Sequence, residues 1–300
     1  MMRELSFEEA KPIWDRLVPE KTVWTDDWDI RVALCKAYGY KPLILYDGNS
    51  LFPLQYDDEA GYHEILGGET VERNYLTFDP ELMKRSKEIP DDVYFDFLVE
   101  GFDGCQEGLC PQFFLDLSKI DSIDDYLERF SKKHRKNFRR SCRLFEGYEF
   151  RRGGTLAELA ELNRGMFGER SDFASGGQEC YEILDKDPRT EYWSIIKDGR
   201  AVMVTQYFFY GKTMSVSVWG SDKAYDTMNV SLSETIKLAK SRGCLRIDFA
   251  PTYAPWKIFY RLDTAPLWRY KRGKIPDSVD DKGYMVPPDE MARLKAEDKL

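Results

Sequence analysis

The chain has 300 residues, of which 42% are apolar and 14% aromatic, and its formal net charge at pH 7 is -9. This length and composition predict two folded domains. The acidic balance argues against a dedicated DNA or RNA binder, because such proteins usually neutralise phosphates with a broad basic surface. The sequence contains no apolar run as long as a membrane span, and its first residues, MMRELSFEEAK, are highly charged. We therefore expect a soluble cytoplasmic protein without a membrane span.

The cysteines and histidines limit the chemistry that the chain can perform. The two histidines are His63 and His134, too few for a histidine metal site or a Ser-His-acid triad. A general base must then be a carboxylate, a tyrosine, a thiol or a bound water. The six cysteines are scattered, so we expect reduced thiols and no metal site; they are Cys35, Cys105, Cys110, Cys142, Cys180 and Cys244.

The first half of the chain begins with two predicted helices, FEEAKPIWDRL and DDWDIRVALCKAYG. A hairpin is predicted around Asp47-Gly48, because this dipeptide separates two short apolar runs. Further strands are predicted at 62–66, 93–99 and 111–117, and a long helix over roughly 122–146. In that helix an apolar stripe is expected to pack against the fold; it comprises Leu127, Phe130, Phe138 and Phe145.

The predicted long helix contains the strongest local charge of the chain, the segment SKKHRKNFRRSCR at 131–143. Seven cations and no acid fall within it: Lys132, Lys133, Arg135, Lys136, Arg139, Arg140 and Arg143. Like charges at this spacing repel one another, so they need solvent, counter-ions or a partner. Two interpretations stay open: a solvated helix face, or a site for an anionic ligand.

The second half of the chain repeats this order of elements. Two helices, TLAELAELNRGMF and QECYEILDK, precede an antiparallel meander over 191–220. A helix with a capping box formed by Ser231 and Glu234 follows, then the strand CLRIDFA, a short helix at PWKIFYRL and a last strand, LWRYKR. Glycines near residue 150 favour a boundary there. We therefore predict a first domain at 1–150 including the basic segment, a second at 151–274 and a charged tail at 275–300.

The order of elements over 191–272 resembles the core of the GNAT acyltransferase fold. With the first half, the chain resembles the double-GNAT arrangement of the FemAB and BioF2-like acyltransferases. The matching features are WTDDWDIRVALCKAYGYKPLILYDGNSLFPL, the basic helix, YFFYGKTMSVSVWGSDKAYD, SRGCLRIDFAP and Trp256-Lys257. The resemblance implies an α/β (α+β) fold with two GNAT-like domains, each a mixed, mainly antiparallel sheet flanked by helices.

The resemblance also implies an N-acyltransferase that moves an acyl group from a thioester donor, acyl-CoA, to a small-molecule or nucleotide-linked amine acceptor. Acyl-CoA would be a co-substrate, and no tightly bound cofactor is expected. The alternatives are a FemA-type transferase that uses aminoacyl-tRNA to modify peptidoglycan precursors, an inactive binding module on the same fold, and an RNA-interacting protein. The sequence lacks the sustained heptad run of some FemA-type proteins, which favours CoA over tRNA.

Candidate catalytic residues lie around the strand CLRIDFA. By the resemblance, Lys257 follows Trp256 where an ammonium would stabilise an oxyanion or a donor phosphate; the alternative is a surface lysine. Asp248 either accepts a proton from the amine or has a structural role, in which it caps the turn at 251–255 or pairs with Arg246 or Lys257. Tyr253 and Tyr225 are candidates for the acceptor site or for proton transfer.

Donor and acceptor binding have separate candidates. The segment DTMNVSLSE has no glycine, unlike the phosphate-binding turn of acetyl-CoA GNAT enzymes, which weakens the case for that binding mode. The helix N-terminus still offers backbone donors for a weaker phosphate site, at Asn229, Val230 and Ser231. In the basic helix, four side chains are candidates to clamp the phosphates of an acceptor, a coenzyme or a tRNA end: Arg135, Lys136, Arg139 and Arg140.

Overall fold

The computed structural model describes residues 2–19, 21–68, 73–108, 110–174, 178–251 and 254–276. Its contacts divide the chain into two compact units, and neither is one continuous segment. The first unit comprises described residues of 2–113, 251–260 and 264–276, and the second comprises those of 114–250 and 261–263. This division differs from the predicted domains 1–150 and 151–274, since the basic helix falls in the second unit. Most of the predicted tail lies outside the described residues.

The first unit contains a seven-stranded sheet in which, of the described pairs, only that between β4 and β5 is parallel. Its spatial order is β1 (Arg3–Glu4), β2 (Lys41–Tyr46), β3 (Leu51–Asp57), β4 (Tyr62–Ile65), β5 (Val93–Leu98), β14 (Trp268–Arg272) and β6 (Gln106–Glu107). The helices of this unit are α1 (Phe7–Leu17), α2 (Trp28–Ala37), α3 (Glu81–Arg85) and α9 (Pro255–Phe259).

Alternation along the hairpin places its side chains on the two faces of this sheet. The hairpin predicted at Asp47-Gly48 is confirmed, with Tyr46 opposite Leu51. Ile44 and Leu51 pack with Trp14 of α1 and Trp28 of α2. The strand residues that alternate with them pack on the opposite face, against Phe78 and Met83; they include Leu45, Phe52 and Leu54. The two helices predicted at the start of the chain thus cover one face of the sheet.

A fully buried arginine, Arg31, connects α2 to the segment that follows β4. Its guanidinium donates hydrogen bonds to the carbonyl oxygens of Thr25 (2.5 Å), Leu66 (3.1 Å) and Arg73 (2.7 Å), and to Asn74 Oδ1 (2.8 Å). Burial lowers the pKa of Arg31 to about 10, and neighbouring Asp26 opposes that shift. The hydrogen bonds replace the lost solvation, so this charge fixes the surrounding loops.

The second sheet also has seven strands, and of its described pairs only that between β11 and β12 is parallel. Its spatial order is β13 (Asp263–Ala265), β7 (Gln112–Asp116), β12 (Arg246–Asp248), β11 (Thr213–Ser221), β10 (Arg200–Tyr210), β9 (Thr190–Lys197) and β8 (Glu149–Arg152). The helices of the second unit are α4 (Ile123–Leu127), α5 (Lys132–Leu144), α6 (Leu156–Phe167), α7 (Gln178–Asp185) and α8 (Met228–Ser241). The predicted meander is β9–β10–β11.

Two elements differ from the predictions in extent or capping. The helix predicted over 122–146 is broken into α4 and α5, because Ser131 adopts an extended conformation and caps α5. The predicted capping box of Ser231 and Glu234 is wrong, since α8 begins earlier, at Met228. The predicted apolar stripe, Leu127, Phe130, Phe138 and Phe145, is buried as expected.

Each sheet takes one strand from the other half of the chain. β7 pairs with β12 of the second sheet, with Ile247 opposite Leu115. The last described strand, β14, pairs with β5 of the first sheet, with Tyr270 opposite Phe95. The prediction had grouped β7 with the first half and β14 with the second. Periodicity identified both strands but carries no information about their partners.

A glycine allows α6 to approach β11 at backbone distance. A Cβ placed on Gly220 would lie 2.4 Å from the amide nitrogen of Asn163 and 2.7 Å from the carbonyl oxygen of Leu159. Both atoms belong to the backbone of α6 and cannot rotate away. Leu159 packs on Val204 and Val218 around this contact.

We predict that Gly220→Ala lowers the free energy of unfolding by about 2–3 kcal/mol, because the helix must move off the sheet. The control is Gly165→Ala in α6 itself, where an added Cβ meets no atom within 4 Å. That substitution should raise the free energy of unfolding by about 0.5–1 kcal/mol through helix propensity. Urea unfolding followed by circular dichroism measures both, and equal effects would contradict the close-approach argument.

Candidate active site

The second sheet opens between β11 and β12. Their parallel pairing covers three residues of each strand and ends with Ser215 opposite Asp248. β12 stops there, whereas β11 continues to Ser221. Just past β12, Ala250 adopts a positive φ of 61°, which turns the chain. Within the described residues the two strands do not pair beyond this point, so the next part of β11 presents an edge that β12 does not cover.

A β-bulge lies in that part of β11. Gln206 of β10 is opposite Val218, and the next residue, Tyr207, is opposite Val216, so Ser217 has no residue facing it. A bulge leaves the extra residue out of the ladder and turns its polar groups away from the strand partner. The opening therefore contains irregular backbone as well as an uncovered edge.

Three buried polar atoms near the bulge have no hydrogen-bond partner among the described residues: Oγ of Ser215, Oγ of Ser217 and Oε1 of Gln206. Gln206 is fully buried and Ser215 nearly so. A buried polar atom without a partner costs about 1–3 kcal/mol, so each of these groups is expected to bind a water or a ligand. None of these three residues is among the candidates predicted from the sequence. The available signal was the pair of serines alternating with apolar residues in TMSVSVWG.

The start of α8 lies at the end of β11. The hydroxyls of Ser221 and Thr227 lie 2.9 Å apart, and Thr227 precedes the first residue of α8 without capping it through its side chain. Of the three predicted phosphate donors, the Ser231 amide is already bonded to the carbonyl of Thr227 (2.8 Å). Val230 is buried in an apolar cluster, and Asn229 is half-buried. The predicted free donor at Ser231 is therefore wrong, because α8 begins one turn earlier.

Asp248 ends β12 as a buried member of an ion pair. Its Oδ2 accepts hydrogen bonds from Arg246 at 3.0 and 3.2 Å, and its Oδ1 accepts from the amide of Ala250 at 3.0 Å. The Arg246 guanidinium in turn lies 3.8 Å from the ring centre of Phe114. These contacts confirm the predicted pairing with Arg246. A role in accepting a proton stays a prediction.

Lys257 is buried in the first unit, with only 4% of its surface exposed. It lies in α9, and its Nζ is 5.2 Å from the ring centre of Phe113 and 5.8 Å from that of Trp256. The alternative of a surface lysine is therefore wrong. Aromatic faces surround the Lys257 amine in a poorly solvated place, where a positive charge acts strongly on nearby charge. Tyr253, the other candidate of this segment, lies outside the described residues.

The basic helix α5 presents two opposite faces. Phe138 and Ser141 are buried, and Ser141 Oγ donates a hydrogen bond to Asp226 just before α8 (3.1 Å). At 100° per residue, six exposed cations fall within an arc of about 120° on the other side. We call this set the cationic face: Lys132, Lys133, Lys136, Arg139, Arg140 and Arg143.

The predicted anion-binding residues divide between these two environments. Arg135 is half-buried and donates to the carbonyl of Phe130 (2.9 Å), so it belongs to the packed part of the helix. Arg139 pairs with Asp124 at 2.7 Å. The side chains of Lys136 and Arg140 make no ion pair or hydrogen bond with the described part of the chain. Tyr225 lies before α8, where its ring contacts Phe145 and the Arg200 guanidinium.

Comparisons with known proteins define the fold. None of the protein-family models and none of the curated proteins match the chain. Among solved structures, FemX superposes with a TM-score of 0.59 at 13% identity, over 90% of this chain and 97% of that one. L-PGS from Bacillus licheniformis gives 0.57 at 15% identity, over 92% and 95%. A tandem GNAT protein from the clavulanic acid biosynthesis pathway gives 0.51 at 11% identity, over 92% and 99%.

The chain thus has the tandem GNAT fold that FemX shares, as the sequence resemblance implied. The two mixed, mainly antiparallel sheets flanked by helices agree with this assignment. In the part of the chain that the structure describes, no helix combines the length and apolar character needed to cross a membrane. Fold similarity at this identity does not define an activity, which must come from the site.

We predict that Ser215→Ala keeps the free energy of unfolding within about 0.5 kcal/mol of the wild type or raises it, because the lost hydroxyl has no partner. The control is Ser171→Ala, at a serine that is equally buried. Its hydroxyl donates to Asn163 Oδ1 (2.6 Å) and accepts from the amide of Phe173 (3.1 Å). Loss of these bonds should cost about 1–3 kcal/mol. Denaturant unfolding compares the two, and a large loss at Ser215 would show that its hydroxyl is structural.

Proposed function

We propose that the protein is an N-acyltransferase that moves an acyl group from a thioester donor to an amine. The observation that supports this most directly is the opening between β11 and β12, with the bulge at Ser217 and the unpartnered hydroxyls beside it. The tandem GNAT fold supports an acyl or aminoacyl transferase in general. A thioester needs a narrow site with donors for its carbonyl oxygen, and an uncovered strand edge is suited to that.

The reaction joins the amine nitrogen to the acyl carbon and breaks the carbon–sulfur bond. The neutral amine attacks the carbonyl, negative charge develops on the oxygen, and collapse of the intermediate releases a thiolate. In our proposal the hydroxyl of Ser217 and the backbone at the bulge donate hydrogen bonds to that oxygen. A base accepts the proton that the amine loses, and this proton finally neutralises the released thiolate. The reaction therefore requires no external oxidant or metal.

The candidate residues predicted from the sequence have separate proposed roles. Lys257 of the first unit has the role that the sequence resemblance implies, a buried positive charge suited to an oxyanion or a donor phosphate, and its aromatic neighbours exclude water from it. Asp248 accepts the proton of the amine, and Arg246 holds its carboxylate in one orientation. Tyr225 contributes to the acceptor site. These roles follow from the chemistry that the reaction requires.

The first test is a thiol-release assay with two thioester donors, acyl-CoA and acyl-pantetheine, and a panel of amines. The wild type should release thiol, and Lys257→Met should reduce kcat/KM about 100-fold, since methionine keeps the apolar stem and removes the charge. The control is Lys271→Met, at a half-buried lysine of β14 in the same unit. It should keep most of the activity.

Folding of the variants is checked by thermal unfolding, so that loss of charge is separated from loss of structure. Isothermal titration calorimetry with CoA adds a second measurement. If the wild type releases no thiol with any donor and binds no CoA, the protein is a binding module on the GNAT fold and the proposed function fails. Equal activity of Lys257→Met and the wild type would remove Lys257 from the mechanism.

A further inference from the structure

The cationic face of α5 makes few contacts with the rest of the second unit. Among the described residues, Arg139 is the one member of the face with an acidic partner, Asp124, and both members of that pair are more than half exposed. The others form no ion pair with the described residues. Like charges at i,i+4, such as Lys136 and Arg140, destabilise a helix by a few tenths of a kcal/mol each. A surface of this kind in a chain of net charge -9 indicates an anionic partner.

The helix that carries the cationic face packs on the start of α8. The buried side of α5 contacts that region through the hydrogen bond of Ser141 to Asp226 and through the ring contact of Phe145 with Tyr225. Tyr148, just after α5, donates to Glu234 of α8 at 2.6 Å. α5 and the start of α8 are therefore parts of one packed substructure, and the cationic face lies on the side of α5 turned away from α8. A partner docked on the face would need a flexible arm to reach the opening where the thioester is proposed to bind.

The start of α8 is poorly suited to the nucleotide half of CoA. The segment before α8 contains no glycine, and its last residue, Thr227, does not cap the helix through its side chain. The Ser231 amide already donates to the carbonyl of Thr227. Asp226 adds a carboxylate at the position where donor phosphates would need positive charge. A thioester donor without an adenine nucleotide avoids this conflict.

We propose that the cationic face docks a small acidic carrier protein, which delivers the acyl group as a thioester on its phosphopantetheine arm. This rests on the proposed function and names its donor. The amine attacks the acyl carbon, the carbon–sulfur bond breaks, and the thiol of the carrier arm leaves with a proton. Six cations facing an acidic helix give charge complementarity over the contact and fix the orientation of the arm.

The dimensions and composition of the face favour such a carrier over RNA. From Lys132 to Arg143 the helix rises about 16 Å, which is the length of about three turns of a partner helix. An RNA extends further and meets the acidic remainder of the chain. The aromatic residues of α5 are also unavailable for base stacking, since Phe138 is buried and His134 packs on Phe130. The experiment described next detects RNA binding as a separate outcome.

The test compares three thioester donors with the same acyl group and the same amine: the acyl carrier protein of bacterial fatty-acid synthesis, CoA and free pantetheine. Aminoacyl-tRNA is assayed as a fourth donor, and RNA binding is measured separately. We expect kcat/KM for the carrier to exceed that for pantetheine at least tenfold and to fall steeply between 50 and 300 mM salt, as roughly six contact charges require. The triple variant Lys136→Glu, Arg140→Glu and Arg143→Glu should reduce the ratio of kcat/KM for carrier over pantetheine about thirtyfold.

The control variant carries the same charge change on exposed cations elsewhere in the second unit: Arg164→Glu, Arg170→Glu and Lys212→Glu. It should keep the wild-type ratio. Two outcomes would overturn the carrier proposal and leave the proposed function standing. One is activity with acyl-CoA but not with the carrier, and the other is an equal loss of activity with all donors in the first triple variant. Transfer only from aminoacyl-tRNA, with RNA binding abolished in that variant, would assign the face to RNA. No transfer from any thioester would overturn both.

Discussion

The short parallel pairing of Thr213–Ser215 with Arg246–Asp248 is the constraint on which the second unit depends. Parallel neighbours cannot be joined by a tight turn, so the chain must cross between them, and α8 forms that connection. The crossover brings the first turn of α8 next to Ser221, at the end of the uncovered strand. The uncovered edge of β11, the bulge and the position of the start of α8 are therefore consequences of this crossover connection. The proposed donor site depends on the same connection.

The first unit also has one parallel pair, between β4 and β5, but its surroundings differ. There the segment around Asn74 bonds to the backbone of Phe97 and Val99, and the Asn74 side chain reaches the carbonyl of Asp96 (2.7 Å). Buried Arg31 holds Asn74 in place. The edge of β5 is thus occupied by the chain itself. The corresponding region of the second unit keeps unpartnered serine hydroxyls, which is why we assign the chemistry there.

Local signals predicted most of the elements, because the chemistry of a turn or a cap is contained in a few neighbouring residues. Asp47-Gly48 marked the hairpin, and an apolar period marked α1 and the meander. The predictions failed where distant residues decide. The burial of Lys257 depends on Phe113, and the bulge at Ser217 depends on the register with β10. The unpartnered hydroxyls of the candidate site could not be predicted from the sequence for the same reason. Whether a hydroxyl finds a hydrogen-bond partner depends on the residues that the fold brings around it.

The exchange of strands between the two halves of the chain sets an order for folding during synthesis. β5 cannot acquire its second neighbour until β14, which ends at Arg272, has left the ribosome. Until then β5 exposes an unpaired edge that other chains are able to join. The nascent first sheet therefore depends on rapid completion of translation or on a chaperone, and separate expression of residues 1–113 would leave the same edge open permanently.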